Sequence, residues 1–347
     1  MPVFAKFRTW SLLPSGVLLG GCDWVVLRPS GDVAVQQGQL VVQATLLMLL
    51  IIVPVIVLTL LYAWRYRQSN TAATYTPDWD HSVQLELVIW AAPLLIIIAL
   101  GALTWISTHT LDPYRALKRI DAEHRVPRGL KPLIVEVVAL DWKWLFIYPE
   151  QGIAVVNELA APVDRPIHFK ITSSSVMNSF FVPALAGQIY AMPGMQTSLH
   201  AVINKPGEYQ GFSANYSGAG FSNMRFKFHG LAAADFDAWV SKAKAGGGEL
   251  GRDAFLALEK PSEREPVRRF GGVTPDLYDA IVNRCVAPGK MCIRQMMAID
   301  GRGGGAGSLA SFAPALGGGV CTADDPTGSR YALAVPAPEL LAERSPR

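Results

Sequence analysis

The sequence predicts a membrane hairpin of two transmembrane helices followed by an all-β sandwich. Three observations predict it. Two apolar runs, Leu40–Trp64 and Leu85–Ile106, are each long enough to cross a bilayer, because roughly 20 apolar residues span a hydrocarbon core of about 30 Å. From Leu133 onward, short runs such as IHFKIT, TSLHAVI and MRFKFHG alternate apolar with polar residues between turn residues, and a period of two marks half-buried strands. Half of the 347 residues are hydrophobic, which is high for a soluble chain.

Composition excludes several function classes. A net charge of +3 is too small to argue for a nucleic-acid partner. The four cysteines form no zinc-type cluster, and Gly303–Gly307 has no lysine and no preceding strand, so it is no phosphate-binding loop.

In chain order, Lys6 and Arg8 precede a modest apolar run broken by Pro14 and closed by Leu19-Gly20-Gly21-Cys22. Small residues just before a cysteine, after a stretch too short to span a bilayer, resemble a bacterial lipoprotein signal. On that reading residues 1–21 are a signal peptide and Cys22 accepts diacylglycerol and palmitate. Residues 22–39 are then an outside N-terminal segment, and 40–110 the helical hairpin. Pro54 lies in the first span and Pro93 in the second; neighbouring groups satisfy the freed carbonyls inside a helix pair. A lipidated Cys22 lies outside the cytoplasm, so the first span runs inward. Arg65 and Arg67 then fall on the cytoplasmic side, as the inside bias for positive charge expects. Arg115, Lys118, Arg119, Arg125, Arg128 and Lys131 pull the other way, but long exported domains translocate largely regardless of charge. LIVEVVALDWKWLFIY, Leu133–Tyr148, reads as one or two strands, and the sandwich occupies 133–230 with antiparallel pairing. Asp235–Lys244 reads as a short amphipathic helix carrying Phe236, Trp239 and Val240. The Gly-, Ala-, Pro- and Ser-rich stretch 301–347 reads as a disordered tail.

The segment that organises the rest runs from Thr172 to Met224, through TSSSVMNSFFVPAL, QIYAMPGMQT and GFSANYSGAGFSNM. It resembles the copper-site region of subunit II of the haem–copper respiratory oxidases. There a His follows the T-S-x-x-V stretch, and two Cys four apart, a second His and a Met complete a dinuclear copper centre. In this chain Asn178 stands at the first His position, Phe212 and Tyr216 at the two Cys positions and Gly220 at the second His. Met224 remains, one position out of step. Copper of this kind needs thiolate sulfur and imidazole nitrogen, which none of these residues offers. VMNSFF, QIYAMPGMQT and YSGAGFSNM match the quinol-oxidising branch, the cytochrome bo-type ubiquinol oxidases, and the resemblance extends to about Ile293. It implies a cupredoxin-like sandwich without copper ligands, and a small C-terminal helical extension over 231–300 through LEKPSE and VRRFGGVTPDLYDAIVN.

The resemblance also places a glutamate of the proton-uptake entrance at Glu86, at the cytoplasmic start of the second span. Read alone, Glu86 is an interfacial carboxylate in headgroup water. Trp142 and Trp144, two apart, share one strand face; without copper, packing or subunit contact is their expected role. His168, His200 and His229 alternate with apolar neighbours, share no ligand spacing and are expected at the surface. Cys285 and Cys292 flank a Pro288-Gly289 turn on the oxidising side and are able to bridge, leaving Cys321 odd.

The resemblance therefore implies subunit II of a proton-pumping ubiquinol oxidase in a bacterial inner membrane, with its sandwich in the periplasm. No metal or cofactor is expected in this chain; haems and copper are expected in the partner subunit I. Expected partners are subunit I, the other integral subunits and membrane lipid. A cytochrome c oxidase subunit is disfavoured by the missing ligands, and a free-standing lipoprotein with a binding sandwich by the two spans and Glu86.

Overall fold

The structure, a computed structural model, describes residues 24–74 and 76–301. The signal segment 1–21, Cys22, Cys321 and all but the first residue of the 301–347 tail lie outside the described residues.

Helix α1 spans Asp32–Arg65 and α2 spans Val83–Thr110. Both are almost wholly exposed over their apolar windows, as expected of helices whose surroundings are lipid or other subunits. Both run unbroken through their prolines. The helix starts eight residues before the apolar run, so part of the 22–39 segment is helical. The reason is local. Gly31 caps the helix in an extended conformation, and Asp32 sits in the first turn, where a carboxylate favours the helix dipole. A helix does not stop where the hydrocarbon does, and Gln36, Gln37 and Gln39 carry it outward.

That outer end is fastened to the sandwich. Ser30 and Gly31 donate backbone hydrogen bonds to the Ala184 carbonyl at 3.0 and 2.9 Å, and Asn204 N–H donates to Ser30 O at 2.9 Å. Val33 is buried in the main core. Asp32, 5 % exposed, accepts from Arg119 Nε and Nη2 at 2.8 and 3.0 Å and from Gln36 Nε2 at 2.8 Å.

The sandwich is built from β1 Leu133–Leu140, β2 Lys143–Tyr148, β3 Ile153–Val156, β4 Glu158–Pro162, β5 Ile167–Ser173, β6 Asn178–Phe181, β7 Ile189–Ala191, β8 Thr197–Ala201, β9 Gly207–Ser213 and β10 Arg225–Leu231. Beyond it lie α3 Ala233–Ala245, β11 Glu249–Leu250, α4 Arg252–Glu259, β12 Arg268–Phe270, β13 Gly272–Val273, α5 Leu277–Val282 and α6 Ile293–Ile299. One sheet has the order β12-β3-β2-β1-β5-β8, and the facing sheet β4-β10-β9-β6-β7. The pairing is mixed rather than antiparallel: β1 runs parallel to β5 and β4 parallel to β10. Both parallel pairs join strands far apart in sequence, which alternation patterns do not reveal.

The inner faces meet in an aromatic core. Phe180 and Phe226 stack at 5.5 Å, and Trp144 meets both edge-on at 5.5 and 5.8 Å. The outer face of the first sheet is also covered. Val138, Leu140, Leu145 and Ile147 pack under Phe255, Leu258, Leu277 and Ile281 of the C-terminal extension. With both faces buried, β2 has no exposed residue to alternate with. Even Lys143 is buried. Its ammonium donates to Lys260 O at 2.8 Å, Ser262 Oγ at 2.7 Å and Asp141 O at 3.1 Å, and burial lowers its pKa. Trp142 lies in the turn between β1 and β2, not on a strand.

A Cβ at Gly31 would fall 2.5 Å from Val202 O and 2.7 Å from Leu185 O, and both are backbone atoms that cannot swing away. Gly31→Ala is expected to destabilise the junction by about 1–3 kcal/mol, as overpacking does, seen as a lower melting temperature of the periplasmic part of the purified complex.

Candidate functional site

The site to test is the loop cluster at the tip of the second sheet, where the resemblance places a metal. Strand β6 delivers Asn178 and the end of β9 delivers Ser213, both buried. Ser213 Oγ donates to Asn178 Oδ1 at 3.1 Å, and Asn178 Nδ2 donates to Val176 O at 3.2 Å. Met224 is buried, with its sulfur 3.9 Å from Ser217 Oγ.

Phe212 and Tyr216 do not join this cluster. Successive residues of a strand face opposite ways, so with Ser213 turned inward Phe212 turns out, where it packs edge-on to Phe181 at 5.3 Å. Tyr216 is 73 % exposed and packs on Phe221 at 5.7 Å. Gly220 lies under the Trp142 ring. The inward positions four apart are therefore Ser213 and Ser217. Shifting the alignment by one residue also brings Met224 into step and puts Phe221 at the second His position. Met224's offset in the sequence was the signal for that shift.

The residues present do not fit copper. A carboxamide, two hydroxyls and a phenyl ring supply no thiolate or imidazole, and one thioether cannot replace them. Among the described residues no group of three or more His, Cys, Asp or Glu converges on a point. Trp142 closes the cluster from above: its indole N–H donates to Ser217 O at 2.9 Å, and its ring packs on Gly218 and Gly220.

The histidines are half-buried rather than at the open surface. His168 and His200 face each other across β5 and β8 and stack at 4.2 Å. The linker shields this edge, with His200 N–H donating to Pro113 O at 3.0 Å. Burial lowers both pKa values, reinforced by Lys170 at His168 and by His168 at His200. His229 stands 3.3 Å from Glu158. At the other end of the molecule, Glu86 sits in the first turn of α2, half-exposed, with Oε1 2.7 Å from His81 Nδ1. Cys285 and Cys292 are joined by a disulfide, which ties the end of α5 to the start of α6. Lys143 and the Asp32–Arg119 pair were not singled out by the sequence. An acidic residue ahead of a long apolar run was the one hint for Asp32.

The geometry defines a class of architecture: a two-helix apolar hairpin carrying a mixed β-sandwich with a closed loop cluster at its tip. The family model for the cytochrome c oxidase subunit II periplasmic domain matches residues 134–230, and the COX aromatic-rich motif matches 244–289. The cytochrome bo(3) ubiquinol oxidase subunit 2 of Pseudomonas putida is 51% identical over 279 residues, covering 80% of this chain and 86% of that one. Its counterpart in Pseudomonas aeruginosa is 51% identical, covering 81% and 82%. The ubiquinol oxidase subunit 2 of Acetobacter aceti is 51% identical, covering 78% and 85%. The chain belongs to the family of ubiquinol oxidase subunits 2. Two apolar helices and a periplasmic-domain family place it in an inner membrane with its sandwich in the periplasm.

Gly218 has φ +113°, and an added Cβ would lie 3.0 Å from the Trp142 ring. Gly218→Ala therefore combines backbone strain with a displaced indole. It is expected to cost about 1–3 kcal/mol and to shift tryptophan emission to longer wavelength as Trp142 is pushed towards water.

Proposed function

We propose that the chain serves a proton-pumping ubiquinol oxidase as a subunit with no redox centre of its own. The observation that carries this reading is the donor set at the sandwich tip. On a subunit II fold, Asn178, Ser213, Ser217 and Met224 occupy the convergent positions, and none is a thiolate or imidazole. Electrons then enter the complex elsewhere, from ubiquinol at the partner subunit I. Haems and copper in that partner supply the oxygen reduction. This chain supplies a membrane anchor and a periplasmic cap. The exposed faces of α1 and α2 are the contact surface for subunit I, and a diacylglyceryl group on Cys22 adds a second attachment to the outer leaflet.

Glu86 is assigned to proton access. It lies in the first turn of the second span, at the cytoplasmic end, beside the imidazole of His81. A carboxylate and an imidazole in hydrogen-bond contact at a water–membrane boundary are suited to collecting protons, and ionisable groups in or near membrane spans commonly mark proton or ion pathways. In this arrangement His81 orients Glu86 and exchanges protons with the aqueous side, and Glu86 passes them to the neighbouring subunit.

Two measurements test the proposal. Metal analysis of this polypeptide after separation from its partners is expected to find no copper; copper at one or two equivalents, or rapid turnover with reduced cytochrome c as sole donor, overturns it. Glu86→Gln is expected to slow ubiquinol-driven oxygen consumption between about twofold and tenfold, a barrier change of up to about 1.4 kcal/mol, with an unchanged haem spectrum. Unchanged turnover removes Glu86 from the proton path.

A further inference from the structure

A basic linker lies on the outer side of the membrane, where the export of a long domain tolerates positive charge but does not require it. The structure folds this linker beside a cavity of about 240 Å³ between the outer ends of α1 and α2 and the sandwich edge, with Gln188 and His200 in its wall. Arg115, Lys118 and Arg119 line it, against the carboxylates Asp32 and Asp112, so cations outnumber anions three to two. With Asp32 paired to Arg119, Arg115 and Lys118 face the single remaining carboxylate, Asp112. Asp32 is held by Arg119 in a two-point contact, and Asp112 Oδ1 accepts the Tyr114 N–H at 2.9 Å. Arg115 donates one N–H to His109 O at 2.9 Å and keeps its other donors. Among the described residues neither Arg115 nor Lys118 has an ion-pair partner, and both are exposed.

The depth of the cavity decides what fills it. Its helical walls reach Gln36 and Thr110, each four residues beyond the apolar runs that end at Leu40 and Ile106. At 1.5 Å per residue that is about 6 Å beyond the hydrocarbon, inside the headgroup layer of roughly 5–8 Å on each side. Trp105, at the end of the apolar run, and Tyr114, beyond α2, are 70 % and 56 % exposed and bracket this layer, where amphipathic rings collect. Guanidinium and ammonium donors without an ion-pair partner, at headgroup depth, match a phosphodiester.

We propose that this cavity binds the phosphodiester headgroup of an anionic phospholipid of the outer leaflet, held by Arg115 and Lys118, with Arg119 kept in place by Asp32. The lipid seals the gap between the hairpin and the sandwich and accounts for positive charge on the outer side.

The test uses the intact, delipidated oxidase complex in native mass spectrometry, titrated with phosphatidylglycerol or phosphatidylcholine. The expected result is at least one phosphatidylglycerol retained at concentrations where phosphatidylcholine is not. The double variant Arg115→Gln/Lys118→Gln should need at least fivefold more phosphatidylglycerol for the same occupancy. Equal retention by wild type and variant overturns the proposal. So does displacement of the lipid by millimolar inorganic phosphate, which marks a plain anion site, or a zero-length crosslink from Lys118 to a neighbouring subunit, which marks a protein contact. The site presupposes assembly into an oxidase, and the haem spectrum of the same preparation reports that assembly separately.

Discussion

The arrangement depends on a short seam in which Gly31 and Asp32 join the membrane hairpin to the sandwich. At Gly31 the chain passes so close to the carbonyls of Leu185 and Val202 that there is no room for a side chain. One residue later a buried carboxylate takes both arms of the Arg119 fork. Burying a carboxylate is costly unless it is paired and hydrogen-bonded, and Asp32 is satisfied from three directions by Arg119 and Gln36. Because Asp32 belongs to α1 and Arg119 to the linker after α2, the same contact closes the hairpin at its outer end and sets the linker against the sandwich.

A second set of constraints works at the far side of the first sheet. The C-terminal extension turns that sheet into a central layer, and it is held where hydrophobic cover alone would leave it free to slide. Lys143 gathers three oxygens, two of them from residues 260–262. Asn157 accepts the Trp144 N–H and donates to Glu265 O, each at 2.8 Å. Glu158 pairs with Arg269. The contacts from Lys143 to Lys260 and Ser262, from Asn157 to Glu265 and from Glu158 to Arg269 each join the sheet region to a residue more than a hundred positions away. Together they register the extension on the sheet, and behind them Trp144 is held against Phe180 and Phe226.

Much of this was legible from residue patterns. Two apolar runs are hard to mistake for anything but spans, and period-two alternation marks β5, β8 and β10 because each has one face towards the linker or solvent. What stayed hidden was non-local. The parallel pairs β1–β5 and β4–β10 leave no mark on either strand alone. Lys143 reads as a surface residue until the chain returns with acceptors for it. The first turns of α1 leave no apolar mark, because Gln36, Gln37 and Gln39 do not look like a membrane span, although a helix has no reason to stop at the hydrocarbon boundary. At the sandwich tip, with every ligand position replaced, residue types alone do not mark which side of β9 faces Asn178; the buried Ser213 does.

The length of α1 has a mechanical consequence. Its 34 residues extend about 51 Å at 1.5 Å per residue, more than the roughly 40–45 Å of a whole bilayer. The cap is thus mounted on a rigid mast instead of hanging from a tether, and its height and bearing are decided within one polypeptide. Neighbouring subunits meet a surface already held in position, so little orientational freedom is left to lose when they dock. A protein domain that had to swing between a donor and an acceptor would be poorly served by such a mounting, whereas a stationary brace is well served by it.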